Sequence, residues 1–177
     1  MTLRLLLPMA LVCLMAGTLS GCEMVKKVGQ VIANPGIKVG DSVDQPSEMA
    51  ITLLTEPDTN PNESGEASPI SIQLIYMSED SKLRNADFDL ITSTKLDEAL
   101  GKNYIDHQDF TLLPDTMKTL PLIKMDPAIR YIGVVAYFSD DQTTEWKAIT
   151  SVENIGHHYR LLVHVRDSSI ELKKEDQ

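Results

Sequence analysis

Cysteine, aromatic residues and positive charge are all scarce in this 177-residue chain. There are two Cys, three Phe and one Trp, and aromatics make up 5% of the residues. Both cysteines, Cys13 and Cys22, fall in the N-terminal apolar region, which excludes the disulfide framework that staples many small secreted domains. Sixteen Lys and Arg stand against 26 Asp and Glu. That balance argues against nucleic acid and against adhesion to anionic lipid headgroups. Long apolar runs are also missing. Leu5–Leu14 holds ten residues and Tyr131–Phe138 eight, whereas a spanning helix needs roughly 20.

What the chain does have begins at its N-terminus. Arg4 and the free amine form a thin positive region, Leu5–Leu14 follows, and the run closes on Leu19-Ser20-Gly21-Cys22. This pattern reads as a bacterial lipoprotein signal, with residues 1–21 removed and Cys22 left as the lipid-bearing first residue. One acyl chain gives marginal membrane residence, and two or more give a stable anchor. The lipid on Cys22 is the one prosthetic group expected; no other cofactor is. The next residue is Glu23 rather than Asp. Asp there tends to retain lipoproteins at the inner membrane of enteric-type bacteria, so Glu23 points to the outer membrane with the body facing the periplasm. Cleavage would leave 156 residues with no thiol and a net charge of −11, enough chain for one domain with its own core.

Residues 22–47 read as the lipidated Cys and a tether. A short amphipathic piece there gives way to Asn34-Pro35-Gly36, Gly40-Asp41 and Gln45-Pro46-Ser47, where turn residues are dense and apolar periodicity is lost. A domain is expected over 48–177. Its signal is period two: Met49, Ile51 and Leu53, then Ile70, Ile72, Leu74 and Tyr76, each alternating with smaller or polar residues. Further strands are expected at Phe110–Leu112, Leu120–Leu122, Ile129–Phe138, Thr144–Thr150, around Leu161–Val165, and at Ile170–Leu172. Ile129–Phe138 is apolar on both faces, as for a strand covered on both sides. The fold class is mainly β, a two-sheet β-sandwich. One helical insertion is expected over about residues 82–101. Asn85 would cap Ala86–Ile91, Thr94-Lys95-Leu96-Asp97 would form a capping box, and Gly101 would end the second short helix.

Catalytic and metal-binding constellations are not legible. His107, His157, His158 and His164 carry no HExxH or HxH spacing, and the adjacent pair would point to opposite faces of a strand. No GxSxG occurs, and Ser139 and Ser151 sit in no recognisable motif. Asp140, Asp141 and Glu145 read as a solvated acidic turn. Trp146 falls where a sandwich would place a core aromatic.

One segment stands out. Residues 57–69 (PDTNPNESGEASP) join two clear strand patterns with thirteen residues, whereas hairpin loops usually take two to five. Its three prolines limit the conformations lost on docking, and its three carboxylates suit a basic surface. Two readings stand side by side: a partner-binding loop, or a tolerated floppy one. On the first, the candidate contacts are Pro57, Asp58, Asn60, Pro61, Asn62, Glu63, Glu66 and Pro69.

Several of these elements in this order resemble the TssJ family, outer-membrane lipoproteins of bacterial type VI secretion systems. The resemblance rests on the signal at Cys22, on Ile70–Tyr76 preceding Ala86-Asp87-Phe88, and on Leu112-Leu113-Pro114. It rests above all on Tyr131–Phe138 with Trp146-Lys147 downstream, similar to the family's Gly-Val-Val-Ala-x-Phe strand and Trp-Arg. It covers about Met49–Leu172. Ser139 and Lys147 depart from it, since the family often has Arg at both places. The resemblance implies a transthyretin-like sandwich that binds the periplasmic C-terminal region of TssM, and through it TssL, with the loop between the first two strands as the contact. It implies no enzymatic activity, and the isolated domain is expected to be a monomer. A generic lipoprotein binding module for a small ligand or another envelope protein is the other reading of the same features.

Overall fold

The computed structural model describes residues 45–140 and 145–177. The expected signal segment, Cys22, the tether up to residue 44, and Asp141 lie outside the described residues.

Alternation is read out directly in the first strand. β1 (Glu48–Thr55) buries Met49, Ile51, Leu53 and Thr55 and leaves the residues between them half-exposed. β2 (Ile70–Met77) starts the same way, with Ile70, Ile72 and Leu74 buried and Ser71 outside, but its end is buried on both faces. The change marks where helices begin to cover the sheet. They are α1 (Ser81–Asn85), α2 (Phe88–Ser93) and α3 (Leu96–Leu100), followed by a 3-10 turn at Gly101–Asn103. The remaining strands are β3 (Tyr104–Leu112), β4 (Met117–Thr119), β5 (Ile123–Lys124), β6 (Tyr131–Tyr137), β7 (Lys147–Ser151), β8 (His158–Val165) and β9 (Ile170–Asp176).

Two sheets result. One runs β4-β1-β8-β9, with β5 also pairing β1, and the other runs β3-β2-β6-β7. Neighbours are antiparallel except β1 and β8, which run parallel with Glu48 opposite His158 and Thr55 opposite Val165. Ile51, Leu53, Leu161 and Val163 of the first sheet join Ile72, Leu74, Ile132 and Val134 of the second in one apolar core. Each such side chain contributes about 1.5–3 kcal/mol when fully buried.

β6 is the strand expected to be covered on both sides, and it is. Ile132, Val134 and Ala136 are buried, and so are Gly133 and Val135 between them. Gly133 lets α1 approach closely: a Cβ there would lie 2.5 Å from Leu83 Cδ2 and 2.8 Å from Met77 Cε.

Local details correct the sequence reading in four places. Asn85 does not cap a helix; it ends α1, its amide donating to Ser81 O at 2.8 Å. Asp87 caps α2 instead, accepting from Leu90 N at 2.8 Å, because the extended backbone at Asp87 aims its carboxylate at the free N–H groups. Thr94 forms no capping box; it terminates α2, and α3 starts after Lys95 without a side-chain cap. Leu120–Leu122 is not a strand but the link between β4 and β5, with Leu120 buried and Leu122 exposed. Finally, residues 45–47 belong to the folded body rather than to a tether. Pro46 bridges Ile155, Gly156 N donates to Gln45 O, and Ser47 is buried. Gly101 does end α3, in the left-handed region at φ 53°.

Candidate partner-binding surface

The long 57–69 connection is an ordered hairpin on a buried base. At the base, Thr59 Oγ1 donates to Val165 O at 3.2 Å and Asn60 N donates to Asp167 O at 2.9 Å. Asn60 sits at φ 53°, a conformation that Asn tolerates better than most residues because its short side chain bonds locally. That side chain is fully engaged. Its Nδ2 donates to Ser68 Oγ at 2.9 Å and Pro69 O at 2.8 Å, and its Oδ1 accepts from Ser139 N at 2.6 Å.

Beyond the base, Pro61 bridges Ala67 and a turn runs over Asn62-Glu63-Ser64-Gly65. Gly65 N donates to Asn62 O at 2.8 Å with Gly65 at φ 77°, a position glycine fills without steric cost. Asn62 Oδ1 accepts from Ser64 N at 2.9 Å and Glu66 N at 3.0 Å, closing an Asx turn. The loop therefore carries its own hydrogen bonds from base to turn. Of the eight candidate contacts, Pro57, Asp58, Pro61, Asn62, Glu63, Glu66 and Pro69 are exposed. Asn60 is a correction: at 3% exposure it holds the loop and faces no partner. Ser68, which the sequence did not single out, and Ser139, marked there only as a departure from the family pattern, are its fixing points.

Next to the hairpin, the outer face of the second sheet carries a polar row. The Tyr137 hydroxyl donates to Gln73 Oε1, and Gln73 Nε2 donates to Asp109 Oδ1 at 2.9 Å. Burial pushes the Tyr137 hydroxyl up to about 12, and the Asp109 carboxylate adds to the shift. These residues come from β6, β2 and β3. Alternation alone could mark Gln73 as outward-facing but could not bring the three together.

Trp146 is buried, as expected, but its ring neighbour is in the helical cover: Phe88 of α2, at 5.2 Å and edge-on. Lys147 reaches the end of α1. Its Nζ donates to the carbonyls of Leu83, Arg84 and Ala86 at 3.0, 2.9 and 2.5 Å, a favourable place for a cation at a helix C-terminus. Burial lowers its pKa, with Asp87 acting in the opposite direction. The four histidines are scattered, each beside a carboxylate: His107 by Asp109, His157 by Glu153 and Asp176, His158 by Glu48, and His164 by Glu56. Among the described residues no three His, Cys, Asp or Glu side chains converge on a metal-sized site, and no helix is long and apolar enough to cross a membrane. Asp140 and Glu145 are exposed, and Glu145 O accepts from Ile170 N.

Fold and surface together define a class: a two-sheet β-sandwich with helices laid over one sheet and an acidic hairpin that joins the two sheets at one end. A family model described as type VI secretion lipoprotein (VasD, EvfM, TssJ) matches residues 47–168, and the chain belongs to that family. Solved structures agree on the fold. The type VI lipoprotein TssJ1 from Pseudomonas aeruginosa matches at TM-score 0.68 and 22% identity, over 73% of this chain and 97% of that one. Serratia marcescens Lip, a membrane-bound component of the type VI secretion system, matches at 0.65 and 19%, over 73% and 98%. A chain from a structure described as the TssM C-terminal domain (869–1107) from EAEC matches at 0.58 and 16%, over 71% and 97%. No individually curated protein matches the chain in sequence.

Proposed function

We propose that this lipoprotein is a non-enzymatic structural adaptor of the type VI trans-envelope complex, held in the outer membrane by lipid on Cys22 with its sandwich in the periplasm. Its partner is the periplasmic C-terminal region of TssM, and through TssM it joins TssL. The observation that carries this reading is the hairpin. Asp58, Glu63 and Glu66 are exposed on a loop whose base is locked by Thr59 and Asn60. A loop already ordered loses little conformational entropy on docking, so more of its contact energy appears as affinity. Family membership supports the choice of system, and the likeness to a chain in the TssM C-terminal domain structure supports the choice of partner.

Calorimetric titration of residues 24–177 against the periplasmic C-terminal region of the cognate TssM tests it. The Glu63→Lys/Glu66→Lys variant should bind more than about tenfold more weakly, or ~1.4 kcal/mol. Wild-type binding indifferent to the charge reversal would move the contact to another surface. No binding by the folded wild-type domain would remove the adaptor reading.

A further inference from the structure

Beside the hairpin, the second sheet opens into a shallow cleft of about 300 Å³ lined by Ser71, Ile72, Gln73, Asp109, Phe110, Thr111 and Tyr137. It shares a rim with the loop. Asn60 binds Pro69 O and Ser139 N, and Ser71 and Tyr137 lie two residues from these on β2 and β6. Its hydrogen bonds have a direction. The Tyr137 hydroxyl donates to Gln73 Oε1 and Gln73 Nε2 donates to Asp109 Oδ1, so these protons are spent within the row. Acceptor capacity for an incoming group remains at the Tyr137 oxygen, the outer lone pairs of the Asp109 carboxylate and the rotatable hydroxyls of Ser71 and Thr111, and it outnumbers the one further N–H of Gln73 Nε2. The second oxygen of Asp109 has His107 Nε2 at 3.5 Å, and the side chain is 67% exposed. Asp109 is the one charged group in the lining, and Tyr137 supplies an aromatic face.

We infer that this cleft receives an arginine side chain of the protein that binds the hairpin, making a second docking point on the same face. The inference rests on the adaptor reading and adds to it the chemistry of the partner. A guanidinium is flat and carries five N–H donors spread over a fork, which matches spaced acceptors beside one carboxylate and can lie over an aromatic ring. A lysine ammonium concentrates three donors at one point and leaves part of the row without a partner. The strongly acidic chain also favours a cationic occupant before contact is made.

The test uses the full lipoprotein in detergent and the periplasmic C-terminal region of the cognate TssM. Asp109→Asn is nearly isosteric at an exposed position, so the fold should survive. It is expected to weaken binding about tenfold, as for a charge-assisted contact at an interface. Thr111→Arg, which places a guanidinium in the cleft from within the chain, should weaken binding to a similar degree. Arginines of the partner are then changed singly to lysine. One of them should reproduce the loss and cause no further loss against Asp109→Asn. If the hairpin charge reversal weakens binding while Asp109→Asn and Thr111→Arg do not, the cleft inference is overturned and the adaptor reading stands. Losses with both variants but no partner arginine coupled to Asp109 overturn the guanidinium assignment. No binding by the wild-type chain overturns the adaptor reading and the cleft's occupant with it.

Discussion

Asn60 and Ser139 are 79 positions apart in the chain, and the Asn60 side-chain oxygen accepts the Ser139 backbone N–H at 2.6 Å. That bond ties the acidic hairpin to the end of the central strand β6. The donor is the Ser139 backbone N–H, so the tie does not depend on the side chain at that position.

Asn60→Ala should be costly. It removes three side-chain bonds from a buried residue, leaves the Ser139 N–H without its acceptor, and puts a less tolerant residue at φ 53°. We expect a loss of about 2–3 kcal/mol in urea unfolding. Hydrogen exchange at the Ser139 amide should quicken in the same variant. Unchanged protection there would contradict the assigned role.

Gly133→Ala tests the seat of α1. The added methyl group meets Leu83 and Met77 closer than van der Waals contact allows. A cost of about 1–3 kcal/mol is expected from overpacking. Shortening Leu83 to Ala in the same chain should recover part of it, giving a coupling energy in a double-mutant cycle. Strictly additive effects would show that the two do not press on each other.

Lys147→Met removes the donor that closes α1 while keeping an apolar stem. We expect a loss of about 1–2 kcal/mol. The Lys147 ammonium also lies 4.6 Å from the centre of the Trp146 ring. The emission of this sole tryptophan should therefore shift in the variant, and an unaltered spectrum would argue that the ammonium does not hold that place.

Alkaline pH should weaken the fold. Burial pushes Tyr76 and Tyr137 up to about 12 from an ordinary 10. Between those values the unfolded chain has released protons that the native state keeps, so stability is full below pH 10 and falls as pH rises toward 12. Lys147 acts with the opposite sign, since its lowered pKa means the native state releases its proton first. Urea midpoints at pH 9, 10 and 11 should fall, and Tyr76→Phe should flatten the decline. A slope unchanged in that variant would show that another group carries it.

Legibility in the sequence followed burial. β1 and β2 were clear because each has a face in the core, and β6 because helices cover its second face. β3 was seen only at Phe110–Leu112. Its first six residues, Tyr104–Asp109, pair with β2 at a sheet edge where polar side chains are tolerated on both faces, so no apolar period survives. Asn85 and Asp87 are both acceptable caps by residue type, and the extended backbone at Asp87 decided between them. Of the eight loop residues, seven are exposed and Asn60 is turned inward, a difference that residue type alone does not display.

The sequence by itself determined the period-two strands, the place of the helical insertion, the acidic character and the loop between the first two strands. These depend on residue type and local spacing, which one chain displays directly. Tertiary structure alone decided the parallel pairing of β1 with β8, the inward turn of Asn60 and the Tyr137–Gln73–Asp109 row. Each of these joins residues distant in the chain through hydrogen bonds whose partners are chosen by how the sheets pack, and local pattern carries no record of that choice.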